Sequence, residues 1–193
     1  MSLRKIKMKT LTLLIAAAFA LSACGGQAEE QTASAQSQGH PQVELKAMSV
    51  SYADYQSAVN KELSDQKTGL ILPEHVVPTD NSAGKNLLHD LSDGLTLAVD
   101  TDKADMISTV RVVWRTDKEQ HNAEKLAKAA AALIATTAPE DRTLLRDTND
   151  QIKMAIESHN AQKDPTREWA RGGVAYKVTV TNLPSVVLTA KAE

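Results

Sequence analysis

Aromatic side chains are scarce in this 193-residue chain: two Trp, three Tyr and one Phe. A core so poor in rings must be built from Leu, Val, Ile and Ala, and it offers little surface for stacking sugars or bases. Cysteine occurs once, at Cys24, so stability must come from packing rather than from disulfides. Basic charge is in slight deficit, with 22 Lys+Arg against 24 Asp+Glu. No clustered basic face is legible, which argues against a nucleic-acid partner. The catalytic signatures are missing as well: there is no HExxH, CxxC or GxSxG. His40, His75, His89, His121 and His159 are scattered, and no two of them stand at the i, i+4 spacing of a helical metal site. Gly84-Lys85-Asn86 looks like the end of a phosphate-binding loop, but Thr79 stands where its first glycine belongs and Asn86 where Ser or Thr belongs.

What the chain does have is a leader. Arg4, Lys5, Lys7 and Lys9 precede an uncharged apolar run over residues 11–21, and the run closes on Leu21-Ser22-Ala23-Cys24. A positive flank, a short apolar core and small residues before a cut are the parts of a secretory signal. The core is shorter than the ~20 apolar residues that span a bilayer. Met8 offers a second possible start, because Met8-Lys9-Thr10 still opens a complete leader.

With Cys24 directly after the small residues, this leader resembles the lipobox of bacterial lipoproteins. The resemblance implies that residues 1–23 are removed and that Cys24 becomes an acylated first residue, leaving no free thiol. It also implies anchorage to the lipid bilayer through Cys24. Gly25 stands where the inner-membrane retention signal would place Asp, so the outer membrane is the expected location in a two-membrane cell. Losing Arg4, Lys5, Lys7 and Lys9 takes the 22 basic residues to 18 against 24 acidic ones, a formal charge of −6. A body this acidic has no electrostatic grip on anionic head groups, so attachment falls to the acyl chains.

Residues 25–42 contain no Val, Ile, Leu or aromatic side chain. Such a stretch cannot bury enough apolar surface to order itself, so residues 24–44 read as a lipidated tether and 45–193 as one domain. Ser51 with Asp54 marks a helix start, followed by Tyr52, Tyr55, Val59 and Leu63 on one face. Residues 69–78, apolar but holding Pro73 and Pro78, are expected to form a buried extended segment or an edge strand. Residues 79–85 read as a polar loop. Leu95, Leu97 and Val99 alternate with polar or small neighbours, and the β-branched run 106–114 follows across an acidic link, which predicts a hairpin.

Leu126, Ala129, Ala130, Leu133 and Ile134 fall at helical spacing. Thr137-Ala138-Pro139-Glu140 predicts the start of a further helix, with Leu144, Leu145, Ile152, Ala155 and Ile156 inward and an end near His159. Residues 163–173 read as a connection. Val174, Tyr176, Val178 and Val180 mark a strand, Asn182-Leu183-Pro184 a turn, and residues 185–190 a last strand. A helical element followed by a hairpin thus occurs twice, without a residue-level repeat. Tight turns between consecutive strands require antiparallel pairing. The expectation is therefore a two-layer α+β domain, with an antiparallel sheet of about four strands and helices packed on one face.

Asp100, Asp102 and Asp105 have the carboxylate density of a calcium loop. Asp105, however, stands where that loop needs glycine and Arg111 where it needs its bidentate Glu, so the stretch reads as a charged hairpin tip. No metal, cofactor or catalytic group is assigned. Trp114-Arg115 and Trp169-Ala170-Arg171 each set an indole near a guanidinium. These four residues are candidates for an interaction surface through cation–π pairing or interface anchoring. The alternative is a Trp at the sheet edge beside an Arg paired to a nearby carboxylate.

These features are expected of a lipid-anchored, non-enzymatic module that binds another protein. An envelope hydrolase with a dispersed site and a lipid-anchored enzyme inhibitor are the alternatives. Cys24→Ala is expected to release the chain from the membrane fraction while leaving the body folded, since acyl chains contribute roughly 0.8 kcal/mol per buried methylene. Detergent-free fractionation with circular dichroism checks this, and an alanine variant that stays in the membrane pellet contradicts it.

Overall fold

The computed structural model describes residues 46–74, 77–80, 83–117 and 122–193. Cys24, the leader, the tether, His40, His75 and His121 lie outside the described residues. The chain enters beside the top of what becomes the fourth strand, where Met48 N donates to Ile107 O at 2.6 Å and Ile107 N to Val50 O at 3.0 Å. Helix α1, Tyr52–Asp65, then starts on a reciprocal cap. The Asp54 amide donates to Ser51 Oγ at 3.1 Å, and that hydroxyl donates to the Asp54 carboxylate at 2.6 Å. Tyr55, Val59 and Leu63 are buried along one stripe.

The stretch after α1 is neither wholly buried nor a strand over its described residues. It runs back along the helix, held by Asn60, whose amide donates to Leu72 O at 2.9 Å while its oxygen accepts from Leu72 N at 2.7 Å. Gln56 donates to Pro73 O. Leu72 is buried, whereas Ile71 is 69% exposed. With Leu72's backbone groups already engaged by a side chain and Pro73 lacking an N–H, the segment has little to offer a sheet ladder.

Strands β1 (Thr79–Asp80), β2 (Gly84–Ser92), β3 (Leu95–Asp102) and β4 (Ile107–Arg115) form a meander. Helices α2 (Ala123–Ala135) and α3 (Leu144–Asn160) follow, then a second meander of β5 (Thr166–Arg171), β6 (Val174–Thr181) and β7 (Ser185–Ala192). All seven strands belong to one antiparallel sheet in the order β1-β2-β3-β4-β7-β6-β5. The architecture is α+β with helices packed on the sheet. The expected strand number of about four is corrected to seven. β1 and the start of β2 lie in the stretch read as a polar loop, and β5 lies in the stretch read as a connection. β5 is an edge strand with the polar sequence TREWAR, so it lacks the alternation that marks a half-buried strand. Gly84 opens β2 because a Cβ there would lie 1.9 Å from Thr101 O, a backbone approach that only glycine permits.

Register fixes the two faces. One cross-strand row runs Leu87, Val99, Val110, Ala190, Tyr176, Trp169, and the next runs His89, Leu97, Val112, Leu188, Val178, Arg167. These rows face the helices, and their β3, β4, β7 and β6 members are all buried. Ala129, Ala130, Ala131 and Ala132 of α2 are buried too, so small side chains let this helix lie close between the sheet and its neighbours. Tyr55 ties α1 to α2 by donating to Leu133 O at 2.7 Å.

The start of α3 is corrected from the Thr137–Glu140 signal to Leu144. Thr136 and Thr137 instead turn their hydroxyls back onto the end of α2, donating to Ala132 O at 3.0 Å and Ile134 O at 2.8 Å. They add to the amide bonds that Thr136 N and Thr137 N already make to the same two carbonyls, closing the preceding helix rather than capping the next. Among the described residues no helix is long and apolar enough to cross a membrane.

Leu133 is fully buried at the centre of the α2 stripe. Leu133→Ala is expected to cost about 2–5 kcal/mol of stability through lost burial and a residual cavity. Denaturant titration checks this, and a change within about half a kcal/mol contradicts the packing described.

Candidate functional site: the open face of the sheet

The residues between the buried rows form the opposite face of the sheet. Its central row is Leu88, Ala98, Arg111, Thr189, Lys177, Glu168, flanked by Asn86, Asp100, Thr109, Lys191, Ala175, Ala170 on one side. On the other side lies Asp90, Thr96, Val113, Val187, Thr179, Thr166. None of these eighteen positions is fully buried, and Leu88 is 60% exposed. The face is rich in Thr, Ala and Val and carries six charged residues, Asp90, Asp100, Arg111, Glu168, Lys177 and Lys191.

The strand carboxylates on this face are engaged locally. Asp90 accepts from the Thr96 hydroxyl at 2.9 Å, Asp100 from the Asn86 amide at 2.7 Å, and Glu168 pairs with Lys177 at 2.8 Å. Arg111 and Lys191 are exposed and have no acidic partner among the described residues.

The four Trp and Arg candidates do not converge. Trp114 sits on the helix side of β4, only 5% exposed, in the row of Leu95 and Val186. Trp169 is on β5, separated from β4 by β6 and β7. Its ring stacks on Tyr176 with centroids 5.3 Å apart. Arg115 pairs with Asp117 at 3.0 Å. Arg171 bridges β5 to the start of α3, donating to Asp141 at 2.9 Å, to Thr143 Oγ1 at 2.6 Å, and to Asp147. Its guanidinium, with the Thr143 donors, pulls the Asp141 carboxyl down to about 2. Both guanidiniums are thus held by carboxylates, and both indoles belong to the helix-facing rows.

The acidic hairpin is shorter than its sequence suggests, because Asp100 and Asp102 lie within β3. Their carboxylates engage different donors. Asn86 takes Asp100, the amides of Ala104 and Met106 take Asp102, and Lys85 takes Asp105 at 2.6 Å. Among the described residues no cluster of His, Cys, Asp and Glu has a metal-holding arrangement.

A partly buried polar pair joins α1 to β2. The Tyr52 hydroxyl lies 2.9 Å from His89 Nε2, with the two rings nearly parallel. His89 is 4% exposed. Burial lowers its pKa below the ordinary imidazole value and raises Tyr52 to about 12. Both groups are therefore neutral near pH 7, so Tyr52 donates and His89 accepts.

No family model matches the chain, and neither a curated protein nor a solved structure shows significant similarity to it.

The His89 shift carries a pH signature. The unfolded chain binds a proton near pH 6.5 that the folded domain resists, so this group's contribution is full above about 6.5 and declines as pH falls toward the lower folded value. Stability is expected to fall between pH 7 and 5, and to fall less in His89→Gln, which keeps an acceptor for Tyr52. Denaturant midpoints across that range check it. An identical pH slope in the two proteins contradicts the assignment.

Proposed function

We propose that the chain is a lipid-anchored lipoprotein of the cell envelope, most simply of the outer membrane, working as a non-enzymatic binding module. Acylated Cys24 attaches it to the bilayer and residues 24–44 space the domain from the surface. The open face of the sheet is what it presents to a protein partner. The observation that carries the binding reading is the asymmetry of the sheet. One face is covered by the helices, while the other sets Thr, Ala and Val positions around two exposed cations that have no acidic partner among the described residues. An antiparallel sheet covered on one side alone commonly alternates apolar inside with charged and polar outside. Here six of the eighteen outer positions are charged and six are Thr or Asn, while Leu88, Ala98, Ala170, Ala175, Val113 and Val187 set apolar surface among them that a second surface can cover.

The anchor reading draws on the leader residues ending at Cys24. The hydrolase alternative gains no support from the one buried His–Tyr pair, since His89 lies under α1 and away from the open face. An inhibitor would insert a protruding loop such as 100–105 into its target, but Asp100 and Asp102 of that stretch belong to β3.

Photo-crosslinking in intact cells tests the proposal. A crosslinking side chain at Val187, on the open face, is expected to capture a protein adduct that the same group at Met154, exposed on α3, does not. Capture from Met154 alone, or equal capture from both positions, contradicts the open face as the binding surface.

A further inference from the structure

At the centre of the open face, β4 and β7 pair with Thr109 opposite Lys191 and Arg111 opposite Thr189. All four side chains alternate outward, so they form a two-by-two block. The two cations occupy one diagonal and the two hydroxyls the other. Diagonal neighbours across an antiparallel pair stand about 7 Å apart at Cβ, within reach of long side chains. A guanidinium and an ammonium can therefore close on one oxyanion from opposite corners, while hydroxyls donate from the other two.

The block's charge is available rather than spent. Asp90, Asp100 and Glu168, the strand carboxylates on this face, are taken by Thr96, Asn86 and Lys177. Arg111 and Lys191 are exposed and have no acidic partner among the described residues, so an anion placed between them would meet two unneutralised cations. We infer that this block receives a carboxylate from an extended acidic segment of a partner protein laid across the sheet. The inference rests on the binding-module reading and names the chemistry of its partner.

Charge complementarity selects an anion, and the surroundings select its source. Ala98, Val113, Val187 and Ala175 border the block with small aliphatic surface that suits alternate side chains of an extended chain, while Asp100 and Lys177, which stand opposite its threonines, are paired with Asn86 and Glu168. Recognition of an anionic bilayer draws on clusters of about four to eight Lys or Arg at a surface, and here two cations are free.

The test uses the full chain, acylated and held in an uncharged detergent. Three probes are titrated: a peptide of about ten residues alternating Thr and Glu, the same peptide with Gln for Glu, and short-chain phosphatidylglycerol. The Glu peptide is expected to bind, to weaken as salt rises, and to lose at least tenfold in affinity in the Arg111→Gln/Lys191→Gln double variant. Lys153→Gln, which changes an exposed cation of α3 on the helix side of the sheet, is expected to leave affinity within twofold. If the double variant melts below the parent, the single variants serve, each with an expected loss of about threefold. Failure of the Glu peptide to bind overturns the inference, as does equal binding of the Gln peptide, retained affinity in the variants, or tighter binding of phosphatidylglycerol. Each of these outcomes leaves the crosslinking result, and with it the binding-module reading, standing on its own.

Discussion

The pairing of β4 with β7 is the constraint on which the rest of the molecule depends. Every other neighbouring pair in the sheet joins strands adjacent in sequence, across the turns of two separate meanders. Only this pairing, from Thr109 opposite Lys191 to Arg115 opposite Ser185, joins one meander to the other. Its strands are separated in sequence by two helices and two strands, so closing it costs more chain entropy than any local hairpin. What offsets that cost lies directly above it. The alanine run of α2 packs against β4 and β7, α3 covers β6 and β5, and α1 is tied onto α2 through Tyr55.

The same register builds both faces. It sets Val110 beside Ala190 and Val112 beside Leu188 in the core, and it sets Arg111 beside Thr189 and Lys191 beside Thr109 on the outside. A slip of one residue would turn the valines outward and carry the cations into the helix layer, so the buried rows enforce the outer block. Stability and recognition are thus two readings of one strand pairing. The peripheral ion pairs serve the frame. Arg171 clasps Asp141 and Asp147, fastening edge strand β5 to the head of α3.

The parts of the fold legible in the sequence are those whose signal is local. β6 announces itself through Val174, Tyr176, Val178 and Val180 because one side of it is buried and the other is not. α2 does so through its apolar stripe, and α1 through the Ser51 cap. β5 stays hidden, since an edge strand partnered on one side tolerates Arg167, Glu168 and Arg171. The threonines at 136 and 137 carry a start signal that burial redirects to closing α2. The site is less legible still. Trp114 and Trp169 stand out by residue type, yet they face the helices. Arg111 and Lys191 are unremarkable in sequence and become neighbours only through the register of distant strands. Arg111 falls within the β-branched run 106–114, but Lys191 lies one residue beyond the expected last strand, and which strands stand side by side is not readable from local pattern.

The β4–β7 seam makes the two meanders one cooperative body, and native-state hydrogen exchange of backbone amides is the sharpest test of that cooperativity. Amides that bridge β4 and β7, such as those of Val112 and Leu188, are predicted to exchange as slowly as any in the sheet and only through global unfolding. If the seam amides exchanged faster than those inside β2–β3 and β6–β7, with each meander keeping its own protection, the two halves would be separable units rather than one cooperative body.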